Sequence, residues 1–61
     1  MKLELPSQAL KILRLRTISK EMLFKLMNYA DQMCREALLE GHPIVAERWA
    51  RVADNCCLRL E

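Results

Sequence analysis

The sequence predicts a mainly α-helical fold, in which one short N-terminal strand is followed by an antiparallel helical hairpin and two copies pair as a homodimer. Three observations predict it. Leu13, Arg14, Leu15, Arg16 and Thr17 alternate apolar and polar with a period of two, the spacing of a half-buried strand. From Ser19 onward, apolar residues recur every three or four positions in two runs separated by Gly41, His42 and Pro43, the spacing of two amphipathic helices. Finally, the 61 residues are 52% hydrophobic, with one Gly and two Pro, which is too apolar for a disordered chain. A chain this short buries only about 60% of the surface that its unfolded form exposes. High hydrophobicity in a chain too small to hide it points to self-association.

The elements follow in order along one small domain, residues 1–61. Pro6 pushes Leu5 out of the α region and keeps the first residues extended or irregular. The strand is expected over about residues 10–17, with Leu13 and Leu15 facing inward and Arg14 and Arg16 outward. A helix starting at Ser7 competes with it, because "SQALKILRL" contains good helix formers and a serine that can cap. Ser19 reads as the N-cap of a helix over about residues 19–40, with Glu21 in the first turn at the positive end of the helix dipole. Ile18 and Leu23 are placed to form a hydrophobic staple across that cap. The apolar stripe of this helix is Leu23, Leu26, Met27, Ala30, Met33, Cys34, Ala37 and Leu38.

Gly41 ends the helix, and Pro43 suits the first position of the next, expected over about residues 43–60. Its stripe is Val45, Ala46, Trp49, Val52, Ala53, Cys56, Cys57 and Leu60. The short connection folds the two helices back on one another as a hairpin. Each stripe is about 160° wide at about 100° per residue, more than one facing helix covers. Phe24, Tyr29, Leu39, Ile44 and Leu58 lie outside the stripes as well.

Composition narrows function by exclusion. Net charge is +2, and Lys2, Lys11, Arg14 and Arg16 against Glu4 leave residues 1–18 at +3, a modest attraction for an anion. Three cysteines, two of them adjacent, do not form a disulfide framework. Cys56 and Cys57 point about 100° apart on a helix, whereas zinc knuckles use a Cys-x-x-Cys turn, so both read as small core residues and no metal site is expected. His42 lies in a turn without a triad-like acid partner and reads as a helix-start residue. No Gly-rich phosphate loop, paired carboxylates or nucleophile elbow is present. An enzyme is not expected, and neither is a cofactor. No secretory leader or membrane span is expected either, which makes a reducing cytoplasm the default.

What remains is binding. Met22, Met27 and Met33 line the first hairpin helix, where flexible thioethers fill a core or shape an adaptable groove. Phe24 and Tyr29 sit at opposite margins of its apolar stripe, and with Met27 they are the candidate walls of a groove for an incoming amphipathic helix. Arg14 and Arg16 raise the alternative of DNA. The order strand, helix, Gly-containing turn, helix resembles the ribbon–helix–helix repressors, in which paired strands enter the major groove. That resemblance implies that Ile12, Arg14 and Arg16 face DNA while Leu13 and Leu15 join the core. A second resemblance concerns the whole layout: the segment "LKILRLRT" followed by two amphipathic helices flanking "EGHP". In this the chain resembles the small early proteins encoded between the exonuclease and excisionase genes of lambda-like temperate phages. The resemblance implies an intertwined dimer, made in the infected bacterium, that favours lytic development over lysogeny. Together with the apolar margins of the hairpin, the expectation is a cytoplasmic regulator that acts through contact with a host or phage protein.

Overall fold

A computed structural model describes residues 4–15 and 18–61. They form three helices, α1 (Pro6–Leu13), α2 (Lys20–Leu39) and α3 (Pro43–Leu60). The fold class is mainly α, as the sequence predicts, but no strand occurs among the described residues.

The correction falls on the N-terminal segment, where Leu10 to Leu13 belong to a helix rather than to the predicted strand. The physical reason lies at its start. Pro6 occupies the first turn, where its missing amide hydrogen costs nothing, and the Gln8 side chain reaches back to accept from the amides of Glu4 at 2.8 Å and Leu5 at 3.0 Å. Pro6, Ala9 and Leu13 then fall on one face and are buried, a three- and four-residue spacing that outweighs an alternation of only a few residues. Arg14 caps the C-terminus of α1 and Leu15 is exposed. Arg16 and Thr17, the rest of the predicted strand, lie outside the described residues.

The hairpin follows its local signals. Ser19 is the N-cap of α2, its hydroxyl accepting from the Met22 amide at 3.2 Å, and Ile18 packs against the core beside it. At the other end Gly41 adopts a left-handed φ of 81°. The turn closes with Gly41 N–H donating to the Leu38 carbonyl at 3.2 Å and His42 N–H donating to the Ala37 carbonyl at 2.8 Å. That pair of bonds is the Schellman arrangement, which satisfies carbonyls that the helix end would leave open.

The helices α2 and α3 pack along their lengths, and α1 lies mainly against α3. The shared core comprises Ala9 and Leu13 from α1, Leu23, Leu26 and Ala30 from α2, and Trp49, Val52, Ala53 and Cys56 from α3. Tyr29 meets Trp49 edge to face, with ring centroids 5.8 Å apart and planes at 76°, a geometry that places a positive ring edge against a negative ring face. Nearer the turn, Ala37 and Ala46 complete the buried contact. Small residues at these positions let the two backbones approach closely, and they leave the core short of large side chains.

Candidate functional site: the apolar surfaces of the hairpin

The buried set contains five alanines (Ala9, Ala30, Ala37, Ala46 and Ala53) and the larger Leu13, Leu23, Leu26, Trp49, Val52 and Cys56. The exposed set contains Leu5, Leu10, Leu15, Met22, Phe24, Leu38, Leu39, Ile44, Val45 and Leu58. Single exposed leucines are ordinary on a protein surface. What carries meaning is their placement, and two places stand out, one a cluster and the other a large exposed aromatic beside a half-buried methionine.

The first is the tip of the hairpin. Leu39 and Ile44 are 88% and 68% exposed, with Leu38 and Val45 beside them. An open depression of about 350 Å³ is lined by Gly41, His42, Pro43, Ile44 and Val45. Ion pairs are scarce: the one between described residues joins Arg51 to Glu47 at 3.3 Å, well exposed on α3. Pro43, Ile44 and Val45 give the depression an apolar wall beside Gly41 and His42, so it can seat an apolar side chain. The sequence carried a signal for this tip. In "LLEGHPIV" two apolar pairs flank the breaker residues, and a helical stripe can absorb only one member of each pair.

The second is a side of α2. Of the proposed groove residues, Phe24 is 51% exposed, while Met27 and Tyr29 are half-buried against the core. At about 100° per residue, Phe24 and Met27 lie within about 60° of each other, whereas Tyr29 is about 140° from Phe24. The structure therefore brings Phe24 and Met27 together and sends Tyr29 to the other edge, where Trp49 receives it. The three do not line one groove.

The DNA-facing set fares differently. Ile12 is half-buried and packs against the core, Arg14 is an exposed helix cap, and Arg16 lies outside the described residues. A ribbon would place Ile12 and Arg14 on one face, but in the helix and its cap they lie about 160° apart. Within the described residues the base-reading face of a ribbon is not assembled.

The cysteines separate as adjacent helical residues must. Cys56 is buried in the core and Cys57 is exposed, which corrects the expectation that both are core residues. Burial pushes the Cys56 thiol up, against a smaller opposing pull from the Arg59 charge. Cys34 is half-buried on α2. Among the described residues no group of three His, Cys, Asp or Glu side chains is placed to hold a metal ion, and no helix is long and apolar enough to cross a membrane. Set against protein-family models, curated proteins and solved structures, the chain finds no match.

Proposed function

We propose that this chain is a small regulatory protein that works as a homodimer and acts through protein–protein contact, without chemistry of its own. The observation that carries the proposal is the distribution of apolar side chains: alanines fill much of the interior while Phe24, Leu38, Leu39 and Ile44 stand in solvent. A chain selected only to fold would place the large residues inside, where each contributes about 1.5–3 kcal/mol. Their exposure is accounted for when a second surface covers them. The wide separation of the two places fits two uses, with the side of α2 for self-association and the hairpin tip for a target. The resemblance to early proteins of lambda-like phages supplies the biological setting: a host or phage protein as the target and lytic development as the process favoured.

The test is capture of a target by the full-length protein with and without nuclease, beside a Leu39→Asp, Ile44→Asp variant. Both positions are exposed, so the variant should retain its helicity. Target capture that survives nuclease and is lost in the variant is the expected result. Capture that disappears with nuclease would mean a nucleic-acid bridge and would overturn the proposal.

A further inference from the structure

The side of α2 that carries Phe24 has a second property: its charges are arranged to be their own complement. Lys20, Phe24, Met27 and Asp31 follow one another at intervals of four, three and four residues. At about 100° per residue all four fall within about 60° of arc. Lys20, Phe24 and Asp31 are exposed, and Met27 is half-buried at the margin of the core. Lys20 and Asp31 thus bracket the apolar pair, one on each side at the same spacing. Neither takes part in the ion pair found among the described residues, Arg51 with Glu47.

We propose that a second copy of this chain docks on this stripe, with its own α2 antiparallel and related by a two-fold axis between Phe24 and Met27. This inference rests on the homodimeric reading above and names its interface. Under such an axis Phe24 meets the partner's Met27, and Met27 meets the partner's Phe24. Lys20 then faces the partner's Asp31, and Asp31 the partner's Lys20. The axis makes every contact occur twice, which is the signature of an isologous interface. A parallel arrangement would set Lys20 against Lys20 and Asp31 against Asp31, so the charges select the antiparallel one. The apolar centre with charged ends also reproduces the usual order of an interface, dry in the middle and polar at the rim. At the hairpin tip the charges near the apolar group, Arg35, Glu36, Glu40, Glu47 and Arg48, are spread over two helices and a turn and do not bracket it evenly on one helix as Lys20 and Asp31 bracket Phe24 and Met27.

Charge reversal tests the register. Lys20→Glu and Asp31→Lys each turn two attractive rim pairs into two repulsive ones, while the double variant restores attraction with the signs exchanged. Lys20→Glu places an acid in the first turn of α2, where the helix dipole favours it, so a loss of association in that variant is not a loss of helix. Sedimentation equilibrium over a concentration series, with helicity checked by circular dichroism, reads the outcome. Each single variant should weaken self-association about ten-fold, and the double variant should return to within about two-fold of the parent. Phe24→Ala should abolish dimers at concentrations where the parent is paired. A parent that is dimeric but indifferent to all these changes would place the interface elsewhere and overturn this inference while leaving the homodimer intact. A parent that is monomeric throughout would overturn both. Parental monomers that bind a different helical protein through Phe24 would assign the stripe to that partner and equally refute the self-docking.

Discussion

Replacing Tyr29 and Phe24 by alanine, one at a time, separates the interior role of one aromatic of α2 from the surface role of the other. Tyr29 is half-buried and presents an edge to Trp49 at 5.8 Å. Trp49 is only 1% exposed, so the contact lies on a fixed surface. Full truncation of a buried aromatic costs about 3–5 kcal/mol, and an edge-to-face pair adds about 0.5–1.5 kcal/mol beyond area burial. Halving the first figure for partial burial and keeping the second gives about 2–4 kcal/mol for Tyr29→Ala. Phe24 is 51% exposed and among the described residues the ring pair is Tyr29 with Trp49, so Phe24→Ala should cost the monomer fold about 1 kcal/mol or less. The assay is urea unfolding followed by far-ultraviolet circular dichroism and by the fluorescence of Trp49, the chain's single tryptophan. Every variant is compared at one low protein concentration, because association adds to apparent stability by mass action. For a chain of 61 residues a total stability of roughly 3–9 kcal/mol is usual, so the Tyr29 change should move the midpoint far. Equal losses at the two positions, or a larger loss at Phe24, would refute the assignment of Tyr29 to the interior and Phe24 to a contact surface.

Three further outcomes follow from individual residues. In native buffer a thiol reagent should modify Cys57 rapidly and Cys34 more slowly, and should reach Cys56 only as the protein unfolds, which mass analysis of labelled peptides reads directly. Because burial raises the Cys56 thiol pKa, the folded state holds that proton where the unfolded state has released it. The associated stability is therefore complete below the unfolded thiol's pKa and is lost as pH rises toward the folded one. Thermal scans above about pH 9 should show this decline, and Cys56→Ala should flatten it. At the turn, Gly41→Ala should lower stability by about 1 kcal/mol although a Cβ there would meet nothing within 4 Å, since the cost lies in the φ of 81°. An unchanged urea midpoint would show that the turn relaxes out of the left-handed region.

The hairpin was legible because each boundary is set by local chemistry. Ser19 caps, Gly41 takes the left-handed turn and Pro43 opens the following helix, and each acts on its own few residues whatever the rest of the chain does. The N-terminal helix was misread for the opposite reason. Leu13 has to be inward whether the segment is a strand or a helix, so the two patterns share their most informative residue. What decided between them was Gln8 reaching back to the Glu4 and Leu5 amides, together with burial of Pro6 and Ala9. A period-two reading that begins at Leu10 does not weigh those residues. The candidate site was legible in part. Phe24 and Met27 share a side of α2 as their spacing requires, but a helix also fixes Tyr29 on a different side. The stripe holds Met27 and leaves Phe24 and Tyr29 at opposite margins, and it is the position of Trp49 that packs Tyr29 inward while Phe24 stays outside. At the hairpin tip Leu39 and Ile44 lie outside the stripes as read, but Leu38 and Val45, counted within them, are exposed as well, because periodicity describes the middle of a helix and not the residues next to its ends.

The alanine-rich interior links the fold to its proposed use. Close approach of α2 and α3 requires small residues at Ala30, Ala37, Ala46 and Ala53, and close approach narrows the space between the helices in which large side chains can be buried. Each alanine in the seam therefore gives up apolar area that a leucine would have hidden, at about 25 cal/mol for every Å². α1 recovers part of that loss by covering α3 with Ala9 and Leu13, but it lies mainly on α3 and leaves the Phe24 side of α2 uncovered. The deficit inside and the surplus outside are thus two consequences of one packing choice. A partner surface laid along α2 supplies the missing area without thickening the hairpin, and it links folding to assembly. Stability should then rise with protein concentration, and a variant that cannot associate should melt earlier than the parent even though every contact within its own chain is intact.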